Sequence, residues 1–92
     1  MYALVATWRQ PDALDLEQRI LPLVRFQPGF LYGTFSRDAA SDRSVSHAVF
    51  SSESHARGFG AYLLTADARR AVGAPLESIV VAAVVADVEA QR

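Results

Sequence analysis

The chain has 92 residues and a formal net charge of −1, and it contains no cysteine. That length supports one domain, spanning 1–92, which buries only about 60–65% of its unfolded surface, so a stabilising partner is expected. A cysteine-free chain excludes disulfides and thiolate metal sites, and a charge near zero excludes the basic footprint of a nucleic-acid binder.

The opening stretch "MYALVATWRQ" has no basic region ahead of an apolar core, so no secretory signal is expected. Tyr2 to Trp8 reads as a strand that is mostly apolar on both faces, and both faces are expected to be covered. Gln10-Pro11-Asp12 then opens a helix, with proline near the first turn and Asp12, Asp15 and Glu17 at the positive end of its dipole. Leu16, Ile20, Leu23 and Val24 form its predicted buried stripe. Pro22 lies inside this segment, and a kink or break is predicted at Leu21. "QPGF" ends the helix, Phe30 to Arg37 reads as a strand, and "DAASDRS" is a polar turn. Val45 to Phe50 is the antiparallel return, with Val45, His47 and Val49 on one face.

Ser51 and Ser52 can cap the next helix, with Glu53 in its first turn. Ala56, Phe59 and Leu63 share one face of it. Gly58 and Gly60 each cost roughly 1 kcal/mol in a helix interior, which predicts an interruption there. The same residues, "RGFGAYLL", could instead be a strand beginning like the motif of an RNA-recognition domain. That motif needs aromatics at alternate positions to stack bases, and here Ala61 follows Phe59 on the same face. The first strand also lacks a companion aromatic at Leu4, Val5 or Ala6, so the helix is preferred. Thr65 and "ADARRAV" predict a second cap and a short helix, ended by Gly73 and Pro75.

Leu76 to Val88 is the last predicted strand, and the order is β-α-β-β-α-β. Its apolar run, Ile79 to Ala86, is far short of the ~18 residues of a membrane span. Because Ile79, Val81, Ala83 and Val85 face one way and Val80, Ala82, Val84, Ala86 and Val88 the other, the strand shows no polar face. An antiparallel sheet with one wet face alternates apolar with polar. Helices cover one face of a four-stranded sheet, so a second copy of the chain is expected on the other.

This pattern, with "PGFLYGTFSRD" on the second strand and "FSSESHARGF" entering the second helix, resembles the dimeric α/β-barrel superfamily, and within it the antibiotic-biosynthesis-monooxygenase-like group. The resemblance covers nearly the whole chain and rests on Pro28-Gly29-Phe30 and on Ser52 ahead of the helix. It implies an α+β, ferredoxin-like protomer with a four-stranded antiparallel sheet, two protomers closing a dimeric barrel through their sheet faces. It also implies a family of cofactor-independent oxygenases acting on quinols or anthrones, haem-degrading enzymes, and proteins of other roles. Where many members carry a Glu two residues before a Trp at the end of the third strand, this chain has Ala48 and Phe50. Phe59 replaces a frequent His or Trp. Near the iron-ligating His of the haem-degrading members stands Arg69, which cannot ligate iron because it stays protonated.

The resemblance places ligands in an apolar pocket between sheet and helices, with Trp8, His47, Phe50, Phe59, Tyr62 and Arg69 as its predicted lining and Phe26 and Phe30 as further aromatic candidates. His47 is the candidate base, since imidazole titrates near neutral pH; a satisfied core or interface residue is the competing reading. His55, in a first helical turn, reads as a surface residue. The indole N–H of Trp8 needs a partner if buried, and Arg9 or Arg69 could meet a ligand oxygen. Two histidines without a carboxylate pattern give no metal-ligand spacing, so no metal and no cofactor are expected. The Ser51, Ser52 and Ser54 hydroxyls read as caps rather than nucleophiles. A bacterial protein is expected, since all nine basic residues are arginine and alanine is abundant, as in GC-rich genomes, and a cytoplasmic location is expected for a chain without cysteine. Two functions follow: a small oxygenase of an aromatic or quinol-type molecule, or a non-catalytic dimeric module that binds a small ligand or a protein. No nucleic acid or membrane partner is expected.

Overall fold

A computed structural model describes residues 1–86 of the chain. The elements in order are β1 (Tyr2–Trp8), α1 (Ala13–Val24), β2 (Phe30–Arg37), β3 (Ser44–Phe50), α2 (Glu53–Leu63), α3 (Ala66–Val72) and β4 (Leu76–Ala83). The strands form one antiparallel sheet in the order β2-β3-β1-β4. This is the ferredoxin-like α+β fold, with β1 and β3 central and β2 and β4 at the edges.

Strand parity decides where the core lies. Tyr2 pairs with Phe50, Leu4 with Ala48, Ala6 with Ser46 and Trp8 with Ser44, and this row faces the helices. Leu4, Ala6, Trp8 and Phe50 there are at most 2% exposed, packed against Leu16, Ile20 and Val24 of α1 and Phe59 and Leu63 of α2. Leu23, predicted in the buried stripe of α1, is only half-buried.

Asp12, expected at the positive end of α1, is its N-cap, accepting from the N–H groups of Leu14 (3.0 Å) and Asp15 (3.1 Å). The break predicted at Leu21 is absent: α1 runs through Pro22 to Val24, and the N–H of Arg25 still donates to Leu21 at 3.0 Å. Gln18 and Pro22 both lie on the exposed side, so the carbonyl that loses its partner can be hydrated. The interruption predicted at Gly58 and Gly60 is absent too. Capped by Ser52, α2 is continuous through both glycines to Leu63, because the packed Ala56, Phe59 and Leu63 face outweighs the propensity cost. The helix ends at Leu64, where Thr65 caps α3 by accepting from the Ala68 N–H at 3.2 Å, and Gly73 closes α3 at φ 69°.

Gly29, at φ 76°, serves two needs. A Cβ there would meet His55 Nδ1 at 2.2 Å and Ser51 Oγ at 2.9 Å, so both the turn and the close packing of His55 require glycine. β4 is shorter than expected. Val84 to Ala86 follow it outside strand geometry, although the Val84 N–H still donates to Met1 at 2.9 Å, and Val88 lies outside the described residues. Burial on both faces of β4 is not met within one chain: Val80 is 55% exposed, and Ala82 is exposed. Among the described residues no helix is long and apolar enough to cross a membrane.

Candidate functional site

On the helix side of the sheet, two hollows among the described residues are separated by the inner line of α2. On the α1 side Phe59 and Leu63 close a cavity of about 50 Å³ with Leu4, Ile20, Val24 and Phe30. That volume suits water rather than an organic ligand. On the β4 side lies a groove of about 490 Å³, lined by Gly60 and Ala61 from α2, by Leu64 at its C-cap, and by Leu76, Ile79 and Val81 from β4. Its size falls within the roughly 300–1,000 Å³ of small-molecule sites. The sequence opens this groove in two ways. β4 is an edge strand bounded on its helix side by α2, and α2 presents its smallest side chains, Gly60 and Ala61, toward it. Gly60 also lets α2 sit close to the sheet, since a Cβ there would lie 3.3 Å from Leu4 Cδ1 and 3.7 Å from Ile79 Cγ2.

Charges stand at the groove's two ends. β3 ends at Phe50, which pairs with Tyr2, and Tyr2 pairs with Ala83. α2 therefore starts at the Ala83 end of β4 and finishes at its Leu76 end. Arg57 belongs to the first end, where it bonds Glu53 through Nε (2.9 Å) and Nη2 (2.8 Å). Glu77 belongs to the second. The ladder pairs Thr7 with Ser78 and Trp8 with Leu76, so Glu77 is the extra residue of a bulge, a device that re-aims a side chain. Its Oε1 accepts from Arg9 Nε at 3.0 Å and its Oε2 from Arg43 Nε at 2.6 Å. The Arg43 hydrogen bond, reinforced by Arg9 and by both guanidinium charges, holds the Glu77 carboxyl below the ordinary carboxylate range against a smaller desolvation effect. The same contact raises Arg43 above the ordinary guanidinium value.

The six residues predicted to line one pocket fall in several places. Trp8 is 1% exposed, and its indole N–H donates to Ser46 Oγ at 2.9 Å, which satisfies it inside the core. Phe50 and Phe59 are core residues in a chain of rings, with centroids of Phe30–Phe50 and Phe50–Phe59 both 5.8 Å apart and Phe59–Tyr62 6.1 Å apart. Phe59 borders the small cavity, as does the His47 segment of β3. His47 pairs with Val5 and Thr34, so its side chain leaves the opposite face of the sheet from Trp8 and Phe50. Arg69 is exposed on α3, and Phe26 is 84% exposed. The groove's own polar residues, Arg57 at one end and Glu77 and Ser78 at the other, were not singled out by sequence reasoning. A lone carboxylate at the head of the apolar "LESIVV" was the available signal for Glu77. Among the described residues, no three His, Cys, Asp or Glu side chains converge as metal ligands would.

No protein-family model matches the chain, and no curated protein matches it. Solved structures do. A monooxygenase from the gene ActVA-Orf6 of Streptomyces coelicolor, in complex with the ligand Nanaomycin D, superposes with a TM-score of 0.66 at 20% identity, covering 98% of this chain and 92% of that one. A Deinococcus radiodurans protein assigned to the antibiotic biosynthesis monooxygenases superposes with a TM-score of 0.61 at 13% identity, covering 100% of both chains. The chain thus has the fold of these monooxygenases.

Proposed function

We propose that this chain is a small oxygenase of that structural group, acting on a flat aromatic or quinol-type molecule held in the groove between α2 and β4. The observation that carries the reading is the fold shared over 98% of the chain with a monooxygenase that binds Nanaomycin D, on a scaffold with a groove of about 490 Å³. In such a reaction the electron-rich substrate supplies the electrons, so no metal or haem is required. For an anthrone, the ring CH₂ becomes C=O with one atom of O₂, and the other atom leaves as water.

The working unit in this proposal is a cytoplasmic homodimer. Val5, Thr7, Val45, His47, Val80 and Ala82 form a sheet face with no carboxylate or guanidinium in its paired rows, and Val80 is 55% exposed. Two such faces can meet without burying an unpaired charge. His47 then lies between the two sheets, as an interface residue.

A specific observation favours a second reading, a non-catalytic binding module. The Trp8 N–H is spent on Ser46, His47 points away from the groove, and the Glu77 carboxylate is held as a weak base by two arginines. Oxygen-electrode measurements with a panel of naphthohydroquinones and anthrones separate the two. Enzyme-dependent uptake, with one ¹⁸O from labelled O₂ in the product, is the expected result. Saturable binding without uptake would leave the binding module.

A further inference from the structure

The groove's polar groups sit at its ends, and its floor is apolar, which restricts what it can hold. Gly60, Ile79 and Val81 offer a narrow surface suited to the face of a planar ring system, with Leu64 and Leu76 beside it. Arg57 at one end is the lining cation. Its pair with Glu53 is exposed, with the two side chains 63% and 49% accessible, and Nη1 takes no part in that pair. Exposed pairs of this kind are worth about 1 kcal/mol or less, so a ligand anion can compete for Arg57 at small cost. At the other end Glu77 is fixed by Arg9 and Arg43, neither of which lines the groove, and its remaining lone pairs accept a hydrogen bond from a hydroxyl. From Arg57 to Leu64 the helix advances about 10 Å at 1.5 Å per residue. Two or three fused rings span such a distance.

We propose that the groove selects flat hydroxy-aromatic acids of two or three fused rings, with the acid group on Arg57, the rings over Gly60, Ile79 and Val81, and the hydroxyl toward Glu77. This rests on the small-molecule reading of the groove given above and adds the substrate class and its orientation. Arg57 is then the specificity-determining residue.

The test uses 6-hydroxy-2-naphthoic acid as probe and 2-naphthol as its analogue without the acid, titrated calorimetrically into the full chain at pH 7.5. The hydroxy acid is expected to bind about tenfold more tightly than the naphthol, the size of one charge-assisted contact at a partly exposed site. Arg57→Gln should reduce that ratio to near one. Ala61→Trp, which fills the groove from an exposed position, should abolish saturable binding with the circular dichroism unchanged. Equal affinities for acid and naphthol in the unmodified protein overturn the proposal, as does a ratio that survives Arg57→Gln. Wild-type binding by a folded Ala61→Trp protein overturns it as well, placing the site elsewhere. Quinol-dependent oxygen uptake alongside any of these failures leaves the oxygenase reading standing and removes only the acid selectivity. No probe binding and no uptake removes both.

Discussion

On the helix side of the sheet, Leu4, Ala6, Trp8, Ala48 and Phe50 are each at most 9% exposed, while the alternate residues of the same strands, Val5, Thr7, Val45 and His47, are half-buried. The two rows differ less in composition than in what the chain can lay over them. The helices α1 and α2 close the first row, with α3 packed against both of them. Among the described residues no helix packs on the second, although Ala3 (3% exposed) and Val49 (0%) at one end of it are buried. An apolar pattern in a strand therefore reports a demand for cover, and the source of that cover lies beyond the strand.

The sharpest way to separate the two faces is to cut the closed one. Phe50 is fully buried and touches the rings of both Phe30 and Phe59. Phe50→Ala should cost about 3–5 kcal/mol, as large-to-small changes of buried aromatics do. Urea unfolding checks it, and a loss under 1 kcal/mol would mean the core is not organised around this ring.

A charge on the open face should act on association instead. Val80→Asp puts a carboxylate at a position 55% exposed in the single chain, so the protomer can keep its fold. In the proposed dimer the same carboxylate is buried opposite apolar groups, and association should weaken about a hundredfold or more. Sedimentation equilibrium of both proteins at micromolar concentration reads the difference. A dimer equally stable with Asp at position 80 would place the interface on another surface, and a wild-type monomer would remove the dimer from the proposal.

The elements were legible in the sequence because period and capping residues mark them locally: the strand pattern of Tyr2 to Trp8, the cap at Ser52, the restart at Thr65 and the stop at Gly73 all recur in the structure. The breaks predicted at Pro22 and Gly58/Gly60 fail for one reason. Local propensity costs of a few kcal/mol at most are outweighed where a helix buries a full apolar face. The candidate site was less legible. Ser46 as the partner of Trp8 is 38 positions away, and Glu77 meets Arg9 and Arg43 across 68 and 34 positions. His47 could be assigned to a face with Val45 and Val49 from parity alone, but which face the helices would take depends on their packing.

The two α2 glycines sharpen the comparison on a finer scale, because one faces solvent and one faces the sheet. At Gly58 a Cβ meets nothing within 4 Å, so Gly58→Ala should stabilise the protein by about 0.5–1 kcal/mol through helix propensity alone. At Gly60 the added methyl crowds Leu4 Cδ1 at 3.3 Å, in a core where Leu4 is 2% exposed. Gly60→Ala should lose that gain to packing strain and come out about 1 kcal/mol less stable than Gly58→Ala. Equal stabilisation by both alanines, measured by thermal unfolding, would show that α2 does not need its close approach to the sheet.

The smallest expected effect lies at the groove end where β4 begins. Glu77 has its pKa lowered on folding, by the Arg43 hydrogen bond first and then by Arg9, relative to an ordinary value of 4.5. A carboxylate with a depressed folded pKa binds its proton more readily in the unfolded chain. Its stabilising contribution is therefore complete above the unfolded value, and it is lost as pH falls through the folded one. Exposed guanidinium partners and salt screening keep that contribution small. Asp38 titrates in the same direction through its hydrogen bonds to the Ala40 N–H and the Ser41 hydroxyl, so the pH profile of the wild type alone cannot isolate Glu77. Glu77→Gln does isolate it, because Asp38 is common to both proteins and cancels in the difference. The two unfolding curves should differ slightly at pH 7 and converge as the pH drops below about 4.5. A gap that stays constant from pH 7 to pH 3 would mean that Glu77 contributes shape rather than charge, and the groove's anionic end would lose its electrostatic meaning.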